Sequence, residues 1–137
     1  MPPTNPTRLR FTAFSLEHLL GSRCRARVSL AWPDSDDFTA EVEGLSSQAG
    51  ELRCAAEACV AALTKAVKGA LRFELIGVKA VRAFDANVVI VSLEANEGGD
   101  GQRMVGCYLS EADAPRGAAL AVLNATNRIL GNRLFMR

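Results

Sequence analysis

Two short segments of the chain contain residue types suited to binding a small charged ligand. Each lies between a predicted strand and a helical pattern, so each should form a turn from a strand into a helix. The free backbone amides and the positive dipole end of a helix N-terminus attract a carboxylate or phosphate. The predicted ligand-binding residues are Gly44, Ser46 and Ser47 in the first segment and Gly106, Tyr108, Ser110 and Asp113 in the second.

Helix capping is the alternative role for three of these residues. A short polar side chain at an N-cap accepts a hydrogen bond from a free amide of the first turn. Ser47, Ser110 and Asp113 are placed to do so. In a ligand site, Asp113 could instead receive the amine of an amino acid. The sequence leaves both roles open.

The helix after the second segment has a buried face of small residues. The apolar positions recur at helical spacing and are Ala118, Ala121, Val122, Ala125 and Ile129. Pro115 suits the first turn, and Gly131 suits the position just past the helix end. A face built mostly of alanine predicts that this helix lies close to a sheet.

The same pattern occurs earlier in the chain, at an ungapped offset of 62 positions (131 minus 69). The matched pairs are Gly69 with Gly131, Thr64 with Thr126, Val60 with Val122, Ala56 with Ala118, and Gly44 with Gly106. The first helix is predicted from about 50 to 68. Two unrelated amphipathic helices are the alternative, but the common offset, caps and periodicity favour a tandem duplication.

Three strands are predicted before each helix. In the first half, residues 24–32 and 38–44 alternate between apolar and polar side chains, which is typical of a hairpin with one solvated face. Residues 8–19 are predicted as an edge strand, with a helical turn near His18 as the alternative. In the second half, the predicted strands are 72–82, with a bulge at Gly77, then 88–91 and 104–110.

The last two strands are apolar on both faces, although the helices can cover only one face. The other face should therefore pack on the first half or on another chain.

These elements predict an α+β protein, a tandem βββα-βββα pseudo-repeat with helices packed on antiparallel sheets. The predicted organisation is a loose tail over 1–7, a first half over 8–69, a second half over 70–131 and a C-terminal tail over 132–137. The apolar tail residues Leu134, Phe135 and Met136 could dock on this domain or on a partner.

Charge and composition exclude several classes of function. There are 16 basic and 15 acidic residues, a balance that does not predict binding to nucleic acid or a membrane. Catalytic, cofactor-binding and metal-binding motifs are lacking, so we expect no enzyme, cofactor or metal. The cysteines Cys24, Cys54, Cys59 and Cys107 lack zinc-site spacing and read as small buried residues of a cytoplasmic protein.

The segment Asn124-Ala125-Thr126-Asn127-Arg128, in an alanine-rich final helix after a tandem βββα pattern, resembles the C-terminal regulatory domain of 2-isopropylmalate and citramalate synthases. The resemblance spans about residues 8–131. It implies a homodimer that binds an inhibitory amino acid, such as leucine, near the turns before the helices. A chain of 137 residues is too short for the catalytic barrel of about 250 residues.

In that family these turns read Gly-x-Gly followed by small and acidic residues. Here Gly44 and Gly106 match the first glycine, while Ser46 and Tyr108 replace the second. Two hypotheses follow. The chain is a regulatory module for an amino acid or other carboxylate, or it is a dimerisation or protein-binding module whose pocket the replaced glycines have closed.

Overall fold

A computed structural model describes residues 9–33, 35–68, 71–96 and 101–135, with side chains through residue 127. The elements in chain order are β1 (Arg10–Leu19), β2 (Arg23–Ala31), β3 (Phe38–Leu45), α1 (Gln48–Ala66), β4 (Arg72–Ala83), β5 (Ala86–Asn96), β6 (Gln102–Ser110) and α2 (Ala114–Phe135). This order confirms the predicted βββα-βββα arrangement. The predicted tail over 1–7 lies outside the described residues, as do Gly69 and Met136.

Each half forms a three-stranded antiparallel sheet, with β2 central in the first and β5 central in the second. The predicted bulge in the fourth strand is confirmed, because the register of β4 against β5 shifts between Leu75 and Gly77. Residues 16–19 belong to β1, so the helical alternative near His18 is wrong. Pairing with β2 holds this segment extended through to Leu19.

The two halves share one hydrophobic core. The helices pack on each other, and each lies on its own sheet while also contacting the first strand of the other half. Small side chains make this close packing feasible: Ala55, Ala58, Ala118 and Ala121 are all fully buried. None of the described helices is long and apolar enough to cross a membrane.

The outer face of the first sheet is solvated, as predicted. Arg25 lies at its centre and donates hydrogen bonds to Glu43 at 3.1 Å and Glu17 at 3.3 Å. Its bond with Glu43 raises the pKa of the Arg25 guanidinium. Glu41 lies 3.8 Å from both Arg25 and Arg27. We call these five residues the charged face.

The structure contains the βββα pattern twice, but the predicted offset of 62 holds only where the first strands begin, at Arg10 in β1 and Arg72 in β4. The first strand of each half contains a bulge, after Phe11 in β1 and after Leu75 in β4, at a spacing of 64 positions (75 minus 11). The central-strand partners of these residues, Leu30 and Leu93, correspond at 63 (93 minus 30). The ungapped alignment therefore fails within the first strands, before the hairpin turns, because the two bulges lie at different distances from the strand starts.

The offset grows to 66 in the third strand and helix. Leu30 pairs with Phe38 and Leu93 pairs with Met104, which relates β3 to β6 at 66 positions (104 minus 38). The helices start at Gln48 and Ala114, again 66 apart (114 minus 48). Gly44 therefore corresponds to Ser110 rather than to Gly106.

The predicted helix ends also need correction. A glycine in the left-handed region was expected beyond each helix, but Lys68 adopts that conformation after α1, with φ of 55°. Helix α2 continues through Gly131 to Phe135. The residues predicted as a separate tail from 132 thus begin inside the helix.

Candidate functional site

The turn before α1 is held together by its own side chains. Ser47 is the N-cap, and its Oγ accepts a hydrogen bond from the backbone N–H of Gly50 at 3.0 Å. Ser46 Oγ donates to Glu51 Oε2 at 2.9 Å, and His18 Nε2 lies 3.1 Å from the same oxygen. The carboxylate of Glu51 therefore lies beside this helix N-terminus, where its negative charge would repel an anionic ligand.

Sequence reasoning did not anticipate the contact between His18 and Glu51, since 33 residues separate them. The grouping of Ser46, Glu51 and His18 resembles the components of a nucleophilic triad, but the order of contacts differs. In a triad the histidine lies between the hydroxyl and the carboxylate and takes the proton of the hydroxyl. Here the carboxylate lies between them, so the histidine does not activate Ser46.

The turn before α2 is closed in the same way. Asp113 Oδ1 accepts a hydrogen bond from the backbone N–H of Arg116 at 3.1 Å, and Asp113 O accepts one from Gly117 at 3.0 Å. Ser110 does not act as the cap: it is the last residue of β6 and is only 5% exposed. Capping therefore accounts for the described bonds of Ser47 and Asp113.

Gly44 and Gly106 are packing residues on the strands, not parts of the turns. A Cβ on Gly44 would approach Cys54 Sγ to 2.5 Å. A Cβ on Gly106 would collide with the carbonyl oxygen of Ala121. Both glycines thus allow a helix to lie against its sheet, and Gly106 is in the middle of β6.

Tyr108 also lies within β6, where it pairs with Val89 and shares the helix side of the sheet. It lines an open groove of about 240 Å³ between β6 and α2. The described residues lining it are Tyr108, Leu120, Leu123, Asn124 and Asn127. Tyr108 thus lies within the strand predicted over 104–110 and not in the turn where the resemblance would place it.

Two asparagine side chains of the segment 124–128, which resembles the synthase regulatory domains, face this groove. Asn124 Nδ2 donates to the carbonyl oxygen of Cys107 at 3.3 Å. Asn127 Oδ1 is buried and has no hydrogen-bond partner among the described residues. A buried acceptor without a donor is costly, and a bound ligand or water would relieve that cost.

The seven predicted residues thus occupy three places. Ser46 and Ser47 lie in the turn before α1, and Gly44 lies near the end of β3 beside that turn. Asp113 lies directly before α2, and Ser110 ends β6. Gly106 and Tyr108 lie along β6 under α2.

The two halves differ most in the outer faces of their sheets, since that of the second sheet is largely apolar. We define the apolar face as Val81, Val88, Ile90, Val105 and Leu109, which are neighbours across β4, β5 and β6. Val105 is 66% exposed and Leu109 is 56% exposed. The first half of the molecule does not cover this face, so one of the two packing arrangements predicted from the sequence is wrong.

Three of the four cysteines are buried, and all four are free thiols. Burial raises the pKa of Cys54 to about 11, with a further contribution from its neighbour Cys24. Burial also raises the pKa of the Cys59 thiol. Cys107 departs from the predicted pattern, since it is exposed on β6 beside the apolar face.

The described part of the chain contains no cluster of three or more histidine, cysteine, aspartate or glutamate side chains that could hold a metal ion. No family model matches the chain, and a search of curated proteins finds no significant match. The candidate sites therefore rest on their own geometry.

Proposed function

We propose that this protein is a non-catalytic, cytoplasmic module that forms a homodimer through its second sheet. The apolar face carries this proposal. Its apolar side chains are at least partly exposed to solvent. Fully burying a valine, leucine or isoleucine side chain is favourable by roughly 1.5–3 kcal/mol relative to leaving it exposed. Such a contiguous exposed patch is typical of an interaction surface.

The two halves differ in the way expected if only one sheet serves as an interface. At the offset of 66, Leu109 corresponds to Glu43 of β3 (109 minus 43), and Cys107 corresponds to Glu41 (107 minus 41). The first sheet thus carries carboxylates where the second carries uncharged side chains. Charged residues protect a sheet from association, and their replacement removes this protection.

A dimeric, non-catalytic role also agrees with what the resemblance to the synthase regulatory domains implies. The geometry at the helix starts favours the scaffold hypothesis over a ligand site there. The first-turn amides of Gly50 and Arg116 already donate to the caps, and Glu51 supplies a carboxylate at α1.

The test is the mass of the protein in solution, with and without a charge in the apolar face. Val105→Glu would place a carboxylate at the most exposed position of the face and should convert a dimer into a monomer. Ser15→Glu is the matched control, because Ser15 is exposed on the first sheet and pairs with Arg27. A monomeric wild-type protein, or a Val105→Glu variant that stays as dimeric as the control, would count against the proposal.

A small-ligand role is the second candidate, and the groove beside Tyr108 favours it. Asn127 Oδ1 has no donor within the described part of the chain, and Leu120 and Leu123 supply apolar walls. An amino acid or related carboxylate with an aliphatic side chain would suit this combination, its amine donating to Asn127. The groove replaces the turns as the place for such a ligand.

Thermal unfolding with added amino acids and 2-oxo acids tests this second role. A ligand that binds only the folded state raises the unfolding midpoint in a saturable, concentration-dependent way. Asn127→Leu removes the unpaired acceptor and should abolish the shift. Tyr108→Gly should enlarge the groove and change which compounds bind. No shift from any compound with the wild-type protein would contradict the ligand role while leaving the dimer proposal intact.

A further inference from the structure

We infer that the edge strand β6 pairs with β6 of a second copy in antiparallel orientation, centred on Cys107, and so joins two three-stranded sheets into one of six strands. This inference rests on the proposed homodimer and names the contact that forms it.

Among the four edge strands of the described structure, β6 alone has an unbroken register and neither glutamate nor lysine. The edge strands β1 and β4 are both interrupted by bulges, which twist an edge away from pairing. Strand β3 carries Glu41 and Glu43 along its edge. A helix side chain reaches the backbone of both β3 and β6, since Lys65 Nζ donates to Thr39 O and Asn124 Nδ2 donates to Cys107 O. Strand β6 runs in unbroken register with β5 from Gln102 to Ser110.

One side-chain contact shows which backbone groups of β6 face the free edge. Asn124 Nδ2 donates to the Cys107 carbonyl oxygen, so this carbonyl points away from β5. In an antiparallel strand the backbone groups of alternate residues point the same way. The N–H and C=O groups of Val105, Cys107 and Leu109 are therefore available to a further strand. The Cys107 oxygen retains a second lone pair beside the Asn124 bond.

The side chains select the register of this pairing. A twofold axis at Cys107 places Val105 of one copy opposite Leu109 of the other, twice in each dimer. It also places Arg103, which is exposed, opposite Glu111, the residue directly after β6. Opposite charges and apolar pairs both stabilise cross-strand neighbours. A shift by one pairing position, centred on Gly106, would instead set Arg103 against Leu109.

The exposure of the apolar face agrees with this contact. Val105 and Leu109 are more exposed than Ile90 and Val81, which are both 37% exposed on the strands farther from this edge. A neighbouring strand would cover the flanks of these two side chains and make the apolar faces of the two copies continuous.

Disulfide trapping tests both the contact and its register. In the Cys107→Ser background, Val105→Cys and Leu109→Cys are prepared as separate proteins and then mixed under mild oxidation. Opposite residues in such a pair have Cα atoms about 5.5 Å apart, within disulfide range. Two copies of position 105 would be displaced by four residues, or about 13 Å, and cannot bond.

The mixture should therefore form a covalent heterodimer, while each variant alone should not. The wild-type protein, which needs no substitution to fold, should cross-link through Cys107, and Cys107→Ser should not. A dimeric mass in solution with no cross-linking in the mixture would overturn the edge pairing but leave the homodimer standing. A monomeric mass at all concentrations would overturn both.

Discussion

Gly106 on β6 lies directly beneath Ala121 of α2, so closely that a Cβ on the glycine would collide with the alanine carbonyl oxygen and lie 2.7 Å from the Cβ of Ala125. Backbone and a helical Cβ cannot turn aside as the end of a flexible side chain can. The distance between α2 and the second sheet therefore depends on the absence of a side chain at this one position.

Replacing Gly106 by alanine should consequently destabilise the protein. Overpacking a closely packed core costs about 1–3 kcal/mol, and we expect a loss of unfolding free energy of this size in urea titrations. Gly77→Ala is the matched control, because a Cβ there meets nothing within 4 Å. Equal stability of the two variants would show that α2 does not pack as described.

The two helix caps should contribute similar amounts to the free energy of unfolding. Ser47→Ala and Asp113→Ala each remove a side-chain acceptor for a first-turn amide, which typically costs about 1 kcal/mol. Chemical denaturation of both single variants measures this loss. A variant that unfolds at the wild-type denaturant concentration would indicate that its residue is free for another role, such as ligand binding.

Thiol reactivity should distinguish Cys107 from the other cysteines. Under native conditions in dilute, monomeric protein, a thiol reagent should modify one thiol rapidly, and all four should react after denaturation, because Cys24, Cys54 and Cys59 are buried. In the Cys107→Ser variant the rapid phase should disappear. Rapid modification of two or more thiols in native wild-type protein would contradict the burial.

Alkaline pH should weaken the fold through its buried thiols. The pKa of Cys54 is about 11 in the folded protein, against about 8.5 for an unperturbed cysteine. Between these values the unfolded chain has released its proton and the folded chain retains it, so stability falls as pH rises.

Unfolding free energies measured from pH 8 to pH 11 should therefore show this decline. Cys54→Ala should flatten the decline relative to the wild type, even if its stability at pH 8 is lower. If the unfolding free energy fell equally steeply with pH in the two proteins, the result would argue against the raised pKa of Cys54.

The sequence predicts the order of elements well because that order depends on local patterns. Alternation identifies the strands of the first half, and the glycine in β4 indicates its bulge. Ser47, directly before a helical pattern, indicates the cap. Each of these signals depends on residues close together in the chain, so no knowledge of tertiary contacts is needed.

The correspondence between the halves could not be read from identities alone. Alanine, glycine and valine are common, so matches such as Gly44 with Gly106 arise at an offset that the structure does not support. The second hairpins differ in length: Leu30 and its partner Phe38 are eight positions apart (38 minus 30), whereas Leu93 and its partner Met104 are eleven apart (104 minus 93). This difference shifts β6 and α2 to the offset of 66, so Gly106 and Tyr108 do not match the residues of the first turn. Both lie within the strand that was predicted over 104–110.

Contacts between distant segments were likewise beyond sequence reasoning. The bond between His18 and Glu51 depends on how β1 lies beside α1, and the groove at Tyr108 depends on how α2 lies over β6. The sequence did indicate strands with two apolar faces. It could not decide what covers the second face, because the same pattern suits an internal contact and a second chain.

Light scattering across a range of protein concentrations measures the mass in solution and so tests the homodimer itself. We expect a species of twice 14.6 kDa that dissociates on dilution, and a Val105→Glu variant that stays at 14.6 kDa under the same conditions. A wild-type protein that remains at 14.6 kDa at every concentration would contradict the homodimer and, with it, the assignment of the apolar face as its interface.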